Sequence, residues 1–419
     1  MTAAIDQRQT SLSGPARSDT ARDWDAGLAR RTKSLGGGEI TAILALAGAS
    51  DLITFSGGFP DPATFPTAVL ADIAARLIRQ DPGVALQYSA TEGIASVRDY
   101  ITGRIAALES RAPGAGELMV TSGGIDCMEL VAKSYLDAGD AVVVEAPTYL
   151  GAIMAFRGYE ADVRGVPVDD DGMRTDVLAE QLAAGLRPKI LYTIPDFQNP
   201  TGLTMTAPRR GELIALARRY GFLILEDVAY SDLGFEQPPP PSLWSMAPDV
   251  VLQAGTFSKI FCPGVRMGWA AGPAEIISRL VVAKQNSDQC SGALGQRMLE
   301  EYGRGGHLER QLVASRALYA RRAALLDQAL TAHLPEGTTW TTPRGGFYIW
   351  VTAPDGVDTV ALSTAARAQK VAYVPGRPFY PGDDGAAQIR LAYSRVADEL
   401  IEEGIRRLGE VLRAALEER

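Results

Sequence analysis

From Glu117 onward the chain alternates short runs of consecutive apolar residues with longer stretches whose apolar residues recur at helical spacing. The short runs read ELMVTSGG, AVVVEAPTY, KILYTIPDFQNP, FLILEDVAY, DVVLQAGTFSK and RMGWAAGP, and each closes on small or polar residues. Unbroken apolar runs of this kind predict strands covered on both faces. Between them, Leu213, Ile214, Leu216, Ala217 and Tyr220 keep to one helical face, and Gly221 closes that helix. The alternation predicts an α/β fold, a mostly parallel sheet sandwiched by helices.

The flanks differ. Residues 1–25 are polar and read as a loose arm, and GEITAILALAGASDLITF then predicts a short amphipathic helix over 37–48 with an extended segment after it. A helical region runs from about Ala274 to Ala332, TTWTTPRGGFYIWVTAP and AAQIRLAYS read as strands, and ADELIEEGIRRLGEVLRAALEER as a last amphipathic helix. At 419 residues the chain exceeds what one compact core usually supports. The expected division is an N-terminal arm and helix (1–55), a large domain (56–305) and a smaller α+β C-terminal domain (306–419). QPPPPS, at Gln237 to Ser242, reads as a rigid surface turn rather than a polyproline ligand.

Composition narrows the function. With 46% hydrophobic and 22% charged residues the chain is ordinary globular material, and its net charge of -9 comes from interspersed acids. No basic stripe is present to follow a phosphate backbone, so nucleic acid is not an expected partner. The three cysteines, Cys127, Cys262 and Cys290, form no metal or disulfide pattern, which fits a reducing cytoplasm. Only His307 and His333 are available as histidines, which removes most metal sites and histidine-based triads. No signal peptide or membrane-spanning run is read.

In open α/β sheets ligands bind beyond the carboxyl ends of the strands, and there the residues are chemically rich. Ser122, Gly123 and Gly124 lead from a strand into a helix whose free N–H groups could hold an anion, although a tight turn alone would also explain the glycines. Tyr149 follows the next strand, either stacked on a planar ligand or filling core. Asn199 precedes Pro200, where turn chemistry is the plain alternative. Asp227 ends an apolar strand with Tyr230 close behind, and a buried carboxylate needs a cation or donor. Lys259, flanked by Thr256 and Ser258 and followed by Arg266, sits after another apolar run, where lost hydration would make its amine a nucleophile.

The order NP-TG, D-x-x-Y, S-K, R-x-G resembles the fold-type I pyridoxal-phosphate enzymes, specifically the class I/II aminotransferases. It is most similar to the kynurenine/2-aminoadipate aminotransferase group, which also includes the aminotransferase-like domains of certain regulators. The resemblance runs from about Ser56 to the C-terminus. It implies that Lys259 forms the internal Schiff base with pyridoxal 5'-phosphate and moves the substrate proton, and that Asp227 pairs with the ring nitrogen. It implies that Tyr149 stacks on the ring and that Asn199 and Tyr230 bond its phenolic oxygen. Gly123, Gly124, Ile125, Thr256, Ser258 and Arg266 would hold the phosphate, with more left to backbone amides because the loop reads GGID. Arg390 would take the substrate carboxylate, with Asn199, Gly57 and Gly58 lining the substrate side and the 37–48 helix covering it. Tyr88 would reach the phosphate of a neighbouring subunit, which makes a homodimer the expected assembly.

The implied activity is ping-pong transfer of an amino group between an L-amino acid and a 2-oxo acid. A lyase, racemase or oxidase-like enzyme of the same fold would keep the same residues, and a ligand-sensing regulator would carry a basic DNA-binding domain ahead of them. Phe59, Phe65 and Tyr380 are candidates for an apolar side-chain pocket or for core.

Overall fold

The computed structural model describes residues 24–33, 38–49 and 51–417. Most of the expected arm therefore lies outside the described residues, as does residue 37 of the expected helix, of which Gly38–Gly48 is described. The strands are β1 (Ile53–Thr54), β2 (Leu118–Thr121), β3 (Ala141–Ala146), β4 (Asp162–Asp169), β5 (Gly172–Met173), β6 (Ile190–Thr193) and β7 (Leu223–Asp227). They continue with β8 (Val251–Thr256), β9 (Gly268–Ala271), β10 (Thr339–Trp340), β11 (Tyr348–Thr352), β12 (Val371–Ala372), β13 (Val374–Pro375) and β14 (Gln388–Ala392).

Eight strands form one sheet in the order β2, β9, β8, β7, β6, β3, β4, β5. Its centre, from β8 to β4, is parallel, and β9 runs against both neighbours, which leaves β2 pointing the same way as β8. Every residue of β2, β6, β8 and β9 is buried, so both faces are covered, as the apolar runs predict. The two strands of this sheet that the pattern missed, β4 and β5, lie toward one edge, where Arg164 and Pro167 alternate with apolar residues and no long run forms.

A second sheet, β10, β11, β14, β13, is antiparallel. The helical region before it is three helices, Ala274–Gln285, Ala293–Arg304 and His307–His333, the last break falling at Gly305 and Gly306. The final helix, Asp398–Glu417, turns Ile401, Ile405, Leu408 and Leu412 inward at the expected spacing. β1 pairs with β12, which joins the segment ahead of Ser56 to the C-terminal part of the chain. One apolar core is continuous through both sheets. No helix among the described residues is long and apolar enough to cross a membrane.

The loop after β6 is anchored by an uncommon buried charge. Arg210, on the helix Ala207–Tyr220, is fully buried, pairs with buried Asp196 and also donates to the carbonyls of Met205, Pro195, Pro240 and Pro241. The proline run is thus a turn pinned from inside. Removing one partner of a buried pair strands the other. Arg210→Met is expected to lower the unfolding free energy by about 3–5 kcal/mol, read from the midpoint of urea unfolding, while Arg218→Met, whose pair with Asp249 is half exposed, shifts it little.

Candidate active site

Because β2, β3, β6, β7 and β8 point the same way, the residues after their carboxyl ends gather at one edge of the sheet. Lys259 lies in the turn after β8. Its Nζ donates to the carbonyl of Gly58 at 3.1 Å and sits over the rings of Tyr230 and Phe347. Burial, with Arg390 adding to it and Asp227 opposing, pushes the Lys259 amine down to about 8.

Asp227 ends β7. Its Oδ2 accepts from the Tyr192 hydroxyl at 2.8 Å and its Oδ1 from the Ala229 N–H at 3.0 Å. Burial still pushes its carboxyl up to about 6, against both hydrogen bonds and the Lys259 charge. Such a group gains from a cation brought against it.

The Asn199 turn is held from below. Glu145, near the end of β3, accepts from Thr193 Oγ1 at 2.8 Å, Ile194 N at 3.1 Å and Gln198 Nε2 at 2.9 Å, and burial raises its carboxyl to about 7. Gln198 Oε1 in turn accepts from Thr201. Asn199 Oδ1 then accepts from Arg390 Nη1 at 3.0 Å, and Ser56 O accepts from Arg390 Nη2 at 2.8 Å. The guanidinium, from β14, lies over the rings of Tyr348 at 4.6 Å and Phe379 at 4.9 Å. Its Nε is buried with no hydrogen-bond partner among the described residues.

Opposite is an anion cradle. Gly123, at φ +97°, caps the helix Gly124–Tyr135, and a Cβ there would stand 2.5 Å from Arg266 Nη2. Arg266 Nη1 donates to Ser258 Oγ at 3.3 Å, and Ser258 Oγ accepts from Thr256 Oγ1 at 2.9 Å. Helix N–H groups, two hydroxyls and a guanidinium therefore converge.

These groups enclose a cavity of about 290 Å³ lined by Gly58, Gly124, Ile125, Tyr149, Asn199, Asp227, Tyr230, Thr256, Ser258, Lys259, Arg266 and Arg390. Gly57 lies just behind, its carbonyl accepting from Ser394. Phe59 and Ile43 also line the cavity, which brings the Gly38–Gly48 helix to it. Tyr380 instead borders a second cavity of about 630 Å³, which shares Ile43 and Leu150 with the first. Phe65 is not among the described lining residues of either cavity. Tyr88 is 76% exposed and outside both.

The sequence matches the model of the family "Aminotransferase class I and II" over residues 50–408. The chain belongs to the class I and II aminotransferases. It is 36% identical over 397 residues to aromatic-amino-acid aminotransferase 1 of Thermococcus litoralis, covering 93% of this chain and 95% of that one. Its fold matches the Pyrococcus horikoshii kynurenine aminotransferase, solved with PMP, at TM-score 0.90 and 36% identity over 94% of this chain and 98% of that one. It also matches LysN, the α-aminoadipate aminotransferase of Thermus thermophilus solved with N-(5'-phosphopyridoxyl)-L-leucine, at TM-score 0.87 and 34% identity over 95% of this chain and 100% of that one.

This aminotransferase is a pyridoxal-phosphate-dependent transaminase acting on amino acids and 2-oxo acids. Its residues fit that cofactor: Arg266 lies close against the side-chain-free Gly123 at a helix amino end, which suits a phosphate, and burial raises the Asp227 carboxyl despite the Lys259 charge, so a pyridinium brought against it would be favoured. Several residues around the transaminase cavity were invisible as motifs. Tyr192 carries the hydroxyl under Asp227, Tyr348 bonds Tyr230 at 3.0 Å and supports Arg390, and Glu145 fixes the Asn199 turn. Two were detectable in principle, since a tyrosine inside an apolar strand needs a hydroxyl partner.

The Lys259 amine should gain reactivity at unusually low pH. In the cofactor-free full chain its reductive methylation, followed by peptide mapping, is expected to reach half its limiting rate near pH 8. A midpoint near the ordinary 10.5 would contradict the desolvated setting.

Proposed function

We propose that Lys259, Asp227 and Arg390 run a ping-pong transfer of an amino group between an amino acid with an apolar or aromatic side chain and a 2-oxo acid. The observation that carries this is the buried Lys259 in one cavity with Asp227 and Arg390, where burial first and the Arg390 charge next push its amine down to about 8. Pyridoxal phosphate supplies, when bound, an aldehyde that takes up the amino nitrogen and a ring that draws electrons from the α-carbon.

The chain's own residues do the rest. Lys259 Nζ, partly neutral at physiological pH, takes and returns the α-proton. Asp227 holds a proton on the ring nitrogen, and Tyr192 keeps that carboxylate ionised by donating to it. Tyr149 covers the ring face, supported by the close approach of Gly151, where a Cβ would lie 2.5 Å from the Tyr149 ring. Asn199 and Tyr230 donate toward the phenolic oxygen. Arg266, Ser258, Thr256 and the amides of Gly123, Gly124 and Ile125 bind the phosphate. Arg390 binds the substrate carboxylate in its planar fork, with Gly57 and Gly58 lining that side.

The side-chain preference is supported by the apolar cluster of Leu150, Trp350, Val374 and Phe379 with Ile43 and Tyr380, which lies where the two cavities meet. The names of the Thermococcus and Pyrococcus relatives point the same way. In this reading residues 56–305 form the cofactor domain, 306–419 the small domain and 1–55 an arm. The three unpaired cysteines support a cytoplasmic setting.

A homodimer completes the site. Val84, Leu86 and Tyr88 expose apolar surface in one stretch, at 42%, 60% and 76%, which a second copy would cover while Tyr88 reached its phosphate.

Two experiments test the reading. Mixed with excess phenylalanine or leucine, the holoenzyme is expected to lose its visible cofactor absorbance and release one 2-oxo acid per site. Lys259→Ala should still bind cofactor yet show no turnover, and normal turnover would refute the mechanism. For the dimer, Tyr88→Ala should bind cofactor weakly, and remixing it with Lys259→Ala should restore about one functional site in four. A monomeric mass by light scattering at assay concentration would rule that arrangement out.

A further inference from the structure

The cradle's arginine is tied, through one residue, to a charge cluster that the chemistry itself does not use. Ser122 accepts from Arg266 Nη2 through its carbonyl at 3.1 Å, donates its N–H to Asp126 Oδ2 at 2.7 Å, and holds its hydroxyl 3.3 Å from Lys284 Nζ. Lys284, in the last turn of the helix Ala274–Gln285, has a fully buried side chain that pairs with Asp126 at 2.8 Å and Asp288 at 2.7 Å. Asp288 Oδ2 also accepts from Ser122 Oγ at 3.0 Å. Four of the five residues that hydrogen-bond Ser122 are thus charged, the fifth being Ser291 through its hydroxyl.

Asp126 occupies the first turn of the helix Gly124–Tyr135, the helix whose amino end faces the cradle. A carboxylate there suits the helix dipole, but it also opposes any second anion brought to the same helix end. The loop offers little to offset this, because Gly124 has no side chain and Ile125 has no polar one. A buried ammonium immediately behind Asp126 removes the conflict. It offsets the carboxylate charge, and the Asp126 Oδ2 that it holds is the same oxygen that accepts from the Ser122 N–H.

We infer that Lys284 is a positioning residue of the phosphate cradle: it neutralises Asp126 and, through Ser122, sets Arg266 in place for a phosphate dianion. It touches neither substrate nor cofactor. The inference rests on the reading of Gly123, Ser258 and Arg266 as the phosphate site.

The test is binding of inorganic phosphate and of pyridoxal phosphate to the full chain by calorimetric titration. Lys284→Met is expected to weaken both by roughly tenfold or more, since it leaves Asp126 charged and unpaired beside the anion. Asp126→Asn combined with Lys284→Met removes the charge pair together and should recover affinity to within about threefold of the parent. A lysine that only braced two helices would not be rescued in this way. Unchanged binding in Lys284→Met, or a double variant no better than the single, overturns the inference. If Lys284→Met does not fold, Asp126→Asn decides: it keeps an acceptor for Ser122 and the lysine charge, so phosphate should bind at least as tightly, and weaker binding overturns the proposal. Arg266→Ala separates the two readings. If it binds both probes as the parent does, the cradle assignment itself falls and the inference with it; if it weakens them while Lys284→Met does not, only the role of Lys284 falls.

Discussion

Everything around the cavity answers to one constraint: several like charges are held close together where water is scarce. Lys259, Arg266 and Arg390 are cationic and converge on a space in which Asp227 is the one acid among the lining residues. In low dielectric that excess is costly, and the Lys259 amine relieves part of it by giving up its proton far more readily than a surface lysine. The remaining excess matches what this enzyme class brings in. In the proposed site a phosphate dianion would meet Arg266, a substrate carboxylate Arg390, and a protonated ring nitrogen Asp227. The site carries an excess of positive charge alone and would come closer to balance when loaded, and since the guanidiniums stay charged throughout, binding would bear most on Lys259 and Asp227.

The same constraint explains why the supporting residues are polar and buried. Asp227 could not face a cation reliably if its second oxygen were free to turn, so Tyr192 and the Ala229 N–H hold both oxygens. Arg390 uses two of its nitrogens on Asn199 and Ser56 and keeps Nε without a partner among the described residues. Since Asn199 sits on the loop beyond β6 and Arg390 on β14, this bond joins the two sheets at the cavity. Gly58, just after β1, adds a second link by accepting from Lys259. A carboxylate that engages Arg390 therefore bears on the Asn199 turn and on the Gly58 segment together.

Much of this was legible in the sequence because a parallel sheet converts order along the chain into proximity in space. Gly123, Tyr149, Asn199, Asp227 and Lys259 are far apart in number, yet each follows an apolar run, and five such runs pointing one way bring them to one edge. Residues that enter the site from elsewhere carried no such mark. Tyr348 lies within β11 and Glu145 within β3, and their roles arise from contacts across elements that periodicity does not encode. The strands β4 and β5 were missed for a different reason: most of β4 is only partly buried, so polar positions break the run that signals a strand, and β5, though buried, is only two residues long.

The GGID loop shows how a local departure is absorbed. Ile125 is 37% exposed in the first turn, where a polar side chain could have contacted an anion, and Gly124 contributes backbone alone. With side-chain donors missing there, geometry matters more, because amide groups bind an anion only where the helix end and its capping residue are held still. The φ of +97° at Gly123 and the space beside Arg266 require the absence of a side chain at that position. Fixing Ser122 at its N–H, hydroxyl and carbonyl at once is the counterpart, since the residue before Gly123 is the last point at which β2 can still set the direction of the helix. In the proposed phosphate site, rigidity of the backbone would thus take over the part that polar side chains could otherwise play.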